Sequence, residues 1–208
     1  SAIITRPVVE FLVAPAKEAG IIIQVLKPTE ALASYFKISL LMGVVLAMPV
    51  ILFEVFEFAR PGLESREKLY IIIGVPFASL SFAGGAAFAG LVAIPRALPF
   101  LSNILRDVVQ HNYSFEEYLS FISSIMLSSG LVFETPLVMF FLSKLGIIDA
   151  RGYIKAWRFV VIGAAIAAAL ITPTVDILNM MLIMGPFLLL YGLGIFLSWL
   201  AGRQAESA

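Results

Sequence analysis

The 208-residue chain contains no cysteine and a single histidine, His111. The absence of cysteine excludes disulfides, thiol nucleophiles and thiolate metal sites. The chain also has no H-E-x-x-H, G-x-S-x-G or glycine-rich phosphate-binding pattern, so the usual hydrolytic and nucleotide-cleaving sites are missing. The sequence therefore predicts a protein that is not an enzyme and that has no catalytic residues, no metal site and no cofactor.

Charged residues are scarce as well, at 13% of the chain, whereas hydrophobic residues make up 61% and the formal net charge is zero. Soluble domains carry about twice that share of charged residues. A neutral chain also lacks the basic field that nucleic-acid binding requires. The composition therefore predicts an integral membrane protein of the all-α class, a polytopic helical bundle embedded in the lipid bilayer and without nucleic-acid partners.

The apolar residues fall into five long runs separated by charged connections. We expect one transmembrane domain over residues 1–208, with spanning helices at residues 31–58, 69–94, 118–145, 158–173 and 177–201. The fourth run is short for a hydrocarbon layer of about 30 Å, which favours local thinning of the bilayer around the last pair of helices.

The first 30 residues mix charged and apolar residues and contain Pro7, Pro15 and Pro28. Because proline lacks the backbone N–H of a helix interior, we expect these residues to interrupt any long helix. Residues 20–26 are rich in β-branched side chains and favour a short extended piece. A second segment outside the membrane is expected at residues 95–117.

Glutamates mark two places in the predicted spans. The bend Phe53–Lys68 holds Glu54, Glu57 and Glu67 beside the membrane margin, where they are either helix-end charges or ligands for a cationic group. Glu134 lies near the middle of the third span, where an ionisable group costs several kcal/mol on insertion scales, about 2.5 to 3.5. Two interpretations of Glu134 stay open: a neutral, hydrogen-bonded structural group, or a contact for another molecule.

Lysine and arginine indicate the orientation. Eight of them lie in connections on the side of the Phe53–Lys68 bend and six on the other side. This bias predicts that the bend and the C-terminus are cytoplasmic. With five spans the N-terminus would then be outside, so a further helix ahead of Ser1 is expected.

Several short motifs occur in an order typical of one family. They are Pro28-Thr29-Glu30 with Lys37, Met48-Pro49-Val50-Ile51-Leu52, Phe58-Ala59-Arg60-Pro61-Gly62-Leu63 with Glu67-Lys68, Gly84-Gly85-Ala86-Ala87-Phe88 with Pro95, Tyr118 with Gly130-Leu131-Val132-Phe133-Glu134-Thr135-Pro136, Arg158, Thr172-Pro173-Thr174 with Asp176 and Asn179, and Pro186 with Leu190-Tyr191. Over nearly its whole length the chain resembles TatC, the receptor subunit of the twin-arginine translocase.

The resemblance implies a six-helix, glove-shaped fold in the cytoplasmic (inner) membrane, with the family's N-terminal tail and first helix missing ahead of Ser1. It implies a receptor that binds twin-arginine signal peptides and assembles with TatA- and TatB-type single-span subunits and with other TatC copies to export folded proteins. The residues implied for signal-peptide binding are Glu67, Phe58, Pro61, Leu63 and Glu54. Those implied for intramembrane or partner contacts are Glu134, Thr172, Pro173, Asp176 and Asn179.

A proton-coupled small-solute transporter is the main alternative, because a mid-membrane Glu134 and proline-containing helices would serve such a carrier equally well. Transporters often carry internal repeats, and none is visible in this sequence. An intramembrane protease is disfavoured, since one histidine and three aspartates near span ends or in loops assemble no catalytic set.

Overall fold

The computed structural model of the chain describes residues 2–18, 20–59, 68–103, 112–171 and 177–205. In chain order the elements are α1 (Ala2–Glu18), β1 (Ile22–Gln24), α2 (Pro28–Ala59), α3 (Lys68–Phe88), a π-helical turn (Ala89–Ala93), α4 (Ile94–Asn103), β2 (Asn112–Ser114), α5 (Phe115–Phe133), α6 (Thr135–Lys144), α7 (Ala150–Ile171) and α8 (Ile177–Ala205). The expected all-α fold class is confirmed.

The surface of the bundle is largely apolar, as lipid contact requires. On α2 alone Phe36, Leu40 and Leu46 are 64%, 70% and 73% exposed. Large contiguous apolar surfaces are rare on soluble monomers. Four segments of the described chain are long and apolar enough to cross a membrane: Pro28–Val55, Gly74–Pro99, Phe115–Lys144 and Met184–Gly202. They overlap the first, second, third and fifth predicted spans.

The expectation that prolines prevent a long helix at the N-terminus is wrong. Helix α1 runs unbroken from Ala2 to Glu18 through Pro7 and Pro15, and its Leu12 and Ala16 are buried against α2, α4 and α5. Apolar packing therefore outweighs the hydrogen bonds that the two prolines remove. Pro28 does not interrupt a helix either, because it begins α2, where its missing N–H needs no partner.

The helical second segment continues past Pro95, beyond the span end predicted at residue 94. Its α-helical part α3 stops at Phe88, and a π-helical turn follows in which the N–H of Ile94 donates to the carbonyl of Ala89. This widened turn lies directly before Pro95, and α4 continues beyond it to Asn103. A π turn is a common way for a helix to absorb a local break in its hydrogen-bond ladder.

One end of the bundle, which we call the cap end, is formed by α1, β1, α4 and β2. The two strands pair in parallel, with Ile23 opposite Tyr113, so the extended piece predicted at residues 20–26 is present. The largest buried cluster lies here and joins α1, α4 and α5 to α2. The hydroxyl of Tyr118 donates to the carbonyl of Leu12 at 2.7 Å, which ties α1 to α5.

The opposite end, the tail end, carries the last turns of α2, α6 and α8. Helices α6 and α8 lie side by side in parallel, because Ser143 contacts Ser198 by a hydrogen bond and a side chain at Gly194 would meet Met139. Helix α7 begins at Ala150, ahead of the predicted span start at residue 158, and packs against α8. The hydroxyl of Tyr191 donates to the carbonyl of Tyr153 and joins these two helices.

Helices α3 and α5 approach closely through glycines. A Cβ atom on Gly85 would lie 2.6 Å from the carbonyl oxygen of Ser129 and 2.8 Å from the Cα of Gly130. A Cβ atom on Gly130 would lie 2.6 Å from the ring of Phe82. Membrane helices pack through small residues in this way, because lipid provides no hydrophobic force that could hold them together at a distance.

We expect Gly85→Ala to destabilise the fold by about 1 to 3 kcal/mol, since the added methyl group meets backbone atoms that cannot move aside. Gly84→Ala is the matched control, because a Cβ atom at Gly84 has nothing within 4 Å. Unfolding by a denaturing detergent, followed by circular dichroism, measures the difference. Equal stability of the two variants would contradict the close α3–α5 contact.

Candidate functional site

The third predicted span is broken at Glu134. Helix α5 ends at Phe133 and α6 begins at Thr135, so Glu134 is the turn residue that joins them. The break follows from Pro136, which has no N–H to donate to the carbonyl of Val132 four residues earlier. The N–H groups of Leu137 and Val138 donate instead to the carbonyl of Glu134, each at 3.0 Å. The sequence predicted a buried acid here, but it did not predict the break.

The Glu134 carboxyl group is buried and has no hydrogen-bond partner among the described residues. Its side chain is 4% exposed, and neither Oε1 nor Oε2 makes a hydrogen bond with a described residue. The backbone of Phe82 on α3 lies beside it without forming such a bond. A buried polar group without a partner costs about 1 to 3 kcal/mol. The described chain therefore does not supply the partner that the purely structural interpretation of Glu134 requires.

Ser129 adds a second polar group near the break, and sequence reasoning missed it. Ser129 is 5% exposed, and its hydroxyl oxygen has no partner among the described residues. It lies on α5 just over one turn before Glu134, and its backbone carbonyl oxygen lies next to Gly85. The available signal was the group of serines at positions 123, 124, 128 and 129 in an otherwise apolar helix. Ser123 has a buried hydroxyl without a described partner as well.

The predicted signal-peptide residues lie at the tail end or beyond the described ranges. Glu54 is exposed in the last part of α2. Phe58 is in the final turn of the same helix, and only its backbone is described. The predicted residues Pro61, Leu63 and Glu67 lie outside the described residues. The structure thus places Glu54 and Phe58 on one helix and leaves the rest of this predicted site as a prediction.

The predicted connection between the last two helices is also mostly outside the described residues. This holds for Thr172, Pro173 and Asp176. Asn179 lies in the first turn of α8, and its side chain is not described. Contact of these residues with a partner therefore remains a prediction.

A polar cluster at the cap end joins α2 to α5. The Lys37 ammonium lies 2.7 Å from Glu116 Oε1 and 2.7 Å from the hydroxyl of Ser120. Both charged side chains are over one third exposed, at 40% and 37%. The sequence identified Lys37 as a family residue but gave no sign of its partner, because the two lie far apart in the chain.

Two further polar groups support the cap end. The carboxylate of Glu30 accepts the N–H of Leu26 at 3.0 Å and so caps the start of α2. Burial raises the pKa of Tyr113 on β2, so the phenol stays neutral. Among the described residues, no three histidine, aspartate or glutamate side chains come together as metal ligands.

The fold and this site define a class of protein: a polytopic helical membrane protein with an interrupted span, whose buried carboxyl group at the interruption has no partner among the residues described. The model of one family, described as Sec-independent protein translocase protein (TatC), matches residues 1–186 of the chain. The chain belongs to the TatC family.

Proteins of this family from different organisms match most of the chain. The chloroplastic TATC of Pisum sativum is 35% identical over 199 residues, which are 96% of this chain and 56% of that protein. The chain is thus only a little over half as long as this plant relative. The TatC protein of Synechocystis is 34% identical over 201 residues, covering 97% of this chain and 78% of the relative.

Solved structures agree with this assignment. A crystal structure described as the twin arginine translocase receptor TatC superposes with a TM-score of 0.78 at 33% identity and covers 95% of this chain and 88% of that one. A second crystal structure of a TatC receptor, in the detergent DDM, gives a TM-score of 0.79 at 32% identity. Family and fold are therefore established by independent comparisons.

We expect Lys37 and Glu116 to be coupled by about 0.5 to 1 kcal/mol, because the pair is partly exposed to solvent. A double-mutant cycle with Lys37→Met and Glu116→Gln measures this coupling from detergent-induced unfolding. Glu117→Gln in the same cycle is the control, since Glu117 is the exposed neighbour of Glu116 in sequence. A coupling as large for Glu117 as for Glu116 would contradict the pairing.

Proposed function

We propose that the chain is the receptor and core subunit of a twin-arginine translocase. In this role it binds twin-arginine signal peptides at the tail end and assembles with TatA- and TatB-type single-span subunits and with other copies of itself. The assembly exports folded proteins across the cytoplasmic membrane, and the C-terminus lies on the cytoplasmic side. Family membership supports this proposal, and so does the similarity to structures described as translocase receptors.

The observation that carries the proposal is the unpaired carboxyl group of Glu134 at the helix break. Hydrocarbon offers no water to this group, so a polar group from another helix is the hydrogen-bond partner that it can gain inside the membrane. The side chain is buried in the isolated chain. Binding of a partner helix therefore requires that the side chains around Glu134 separate, and the new hydrogen bonds offset that cost.

Signal-peptide binding is assigned to the acids and apolar residues of the bend that follows α2. A carboxylate binds an arginine guanidinium through two parallel hydrogen bonds, and Glu67 is the residue proposed for this contact. Phe58, Pro61 and Leu63 supply apolar surface around it. The exposed Glu54 adds negative potential at the same end of the helix.

Partner contacts are also proposed at the connection between α7 and α8. Thr172, Pro173 and Asp176 have residue types that favour a tight turn, and Asn179 follows in the first turn of α8. A turn of this kind would present polar groups to an incoming single-span helix.

Glu67→Ala is expected to abolish binding of a twin-arginine peptide while the protein remains folded in the membrane, because the guanidinium loses its carboxylate partner. Site-specific photo-cross-linking from positions flanking Glu67 measures the contact with the peptide. Glu57→Ala is the matched control, since it removes one acid from the last turns of α2 without removing the proposed ligand. Unchanged cross-linking in Glu67→Ala would contradict the assignment.

Glu134→Leu is expected to have opposite effects on stability and function. Replacing an unpaired buried carboxyl group by an apolar side chain should raise the free energy of unfolding by about 1 kcal/mol. Complex assembly and export of folded twin-arginine substrates should nevertheless be lost, because the partner then has no group to bind.

Ser123→Ala is the control for this prediction, since it also removes a buried hydroxyl oxygen without a described partner. It should leave export unchanged. Normal assembly and export by Glu134→Leu would contradict the role of Glu134 in partner binding.

A proton-coupled transporter of small solutes is the second candidate, because an unpaired carboxyl group in a broken helix also suits proton-linked transport. Reconstitution in proteoliposomes without partner subunits separates the two functions. The receptor proposal predicts no solute uptake driven by a proton gradient, and uptake that disappears in Glu134→Gln would favour the transporter.

A further inference from the structure

A polar cavity of about 350 Å³ lies at the tail end, between the α6–α7 corner and the last turns of α8. Its wall includes Ser143, Asp149, Arg151, Ser198, Trp199 and Gly202. The described residues of this wall include none of those proposed above for peptide or partner binding. Charges of both signs and two serine hydroxyl groups line this cavity.

The corner that forms the cavity is held by local hydrogen bonds. Gly146 adopts a left-handed conformation at φ 68°, and the N–H of Ile147 donates to the carbonyl of Leu142 at 3.0 Å. This pattern ends α6 in a defined geometry. The Asp149 carboxylate then accepts the N–H of Gly152 at 2.7 Å and starts α7. The cavity wall on this side is therefore rigid.

The two serines of the wall use all of their hydroxyl protons within the protein. Ser143 donates to the carbonyl of Ile148 at 2.8 Å, and its oxygen lies 2.5 Å from the hydroxyl of Ser198. Since Ser143 has one proton, Ser198 is the donor in the second bond. The serines thus join α6 to α8 and leave the binding of an anion to other groups.

Arg151 is the cation that remains available to the cavity. It is exposed and makes no ion pair with a residue in the described part of the chain. The sequence from residue 144 to residue 158 contains three further basic residues, which are Lys144, Lys155 and Arg158. Asp149 is the only acidic residue in the same stretch of sequence. The Oδ2 atom of Asp149 makes no hydrogen bond with any residue that the structure describes. The cavity therefore offers a cation and a hydrogen-bond acceptor in a positive environment.

The aromatic residues around the cavity place it at the level of lipid headgroups. Trp199 is 45% exposed and its ring stacks on Phe196 at 6.4 Å. Trp157, the other tryptophan of the chain, is exposed on α7 near the same end. Tryptophans concentrate at the membrane–water interface, and basic pockets between spanning helices are suited to anionic lipid headgroups.

We propose that this cavity binds the headgroup of an anionic phospholipid that carries free hydroxyl groups, as phosphatidylglycerol does. The Arg151 guanidinium pairs with the lipid phosphate. A headgroup hydroxyl donates to Oδ2 of Asp149, which satisfies the oxygen that the N-cap leaves free. Trp199 covers the glycerol backbone at the interface. The lipid binds without any covalent step.

The test is native mass spectrometry of the purified chain in detergent with phosphatidylglycerol added. The wild type should retain one phosphatidylglycerol molecule in preference to phosphatidylethanolamine. Arg151→Gln should lower the retention of phosphatidylglycerol about tenfold, because it removes one charge-assisted contact. Lys155→Gln is the matched control: it removes the same charge from α7 outside the cavity wall and should change retention less than about twofold.

A second variant keeps the charge and fills the space. Gly202→Leu should be tolerated, because a Cβ atom at Gly202 has nothing within 4 Å, and it should lower retention as strongly as Arg151→Gln. Circular dichroism checks that each variant folds. If Arg151→Gln does not fold, lipid retention by Gly202→Leu and Arg151→Lys tests the proposal instead.

Four results would overturn the proposal: equal retention in the wild type and both cavity variants, an equal loss in Lys155→Gln, equal retention of phosphatidylethanolamine, or complete displacement of the lipid by excess inorganic phosphate. The last result would assign the cavity to a soluble anion.

Discussion

The hydrocarbon of a bilayer provides no water for polar groups, so the groups inside it must find hydrogen-bond partners within the protein. The backbone satisfies itself by forming helices, and a π-helical turn precedes Pro95 in the second spanning segment. Buried polar side chains bind backbone carbonyls, as Tyr118 does with Leu12 and Tyr191 with Tyr153. Glu134 is an exception to this rule, since its carboxyl oxygens have no partner within the part of the chain that the structure describes.

Such an exception is costly within one chain, and a partner from another molecule, as proposed above, would remove that cost. The break at Glu134 results from Pro136, and close packing through Gly85 and Gly130 brings α3 against the same region. The close packing preserves the shape of the site while its polar group stays unsatisfied. This arrangement is the basis of the partner contact proposed at Glu134.

The two ends of the bundle differ in the contacts that stabilise them and in the charged residues that they carry. The cap end is closed by a large buried cluster, a short parallel strand pair and capping by Glu30. The tail end carries acids near the end of α2 and bases at the α6–α7 corner. The two proposals for the tail end use these opposite charges separately, the acids for guanidinium groups and the bases for lipid phosphate.

The sequence by itself determined the membrane class, the helical spans, the presence of an acid at mid-depth in the third span and the resemblance to TatC, because these depend on composition and on the order of local motifs. Only the tertiary structure decided that α1 is continuous through Pro7 and Pro15, since packing against distant helices offsets the bonds that the prolines remove. It alone paired Lys37 with Glu116, and it showed that Glu134 has no partner in the described ranges of the chain. Hydrogen-bond partners come from segments far apart in the chain, so no local pattern can predict which polar groups find them.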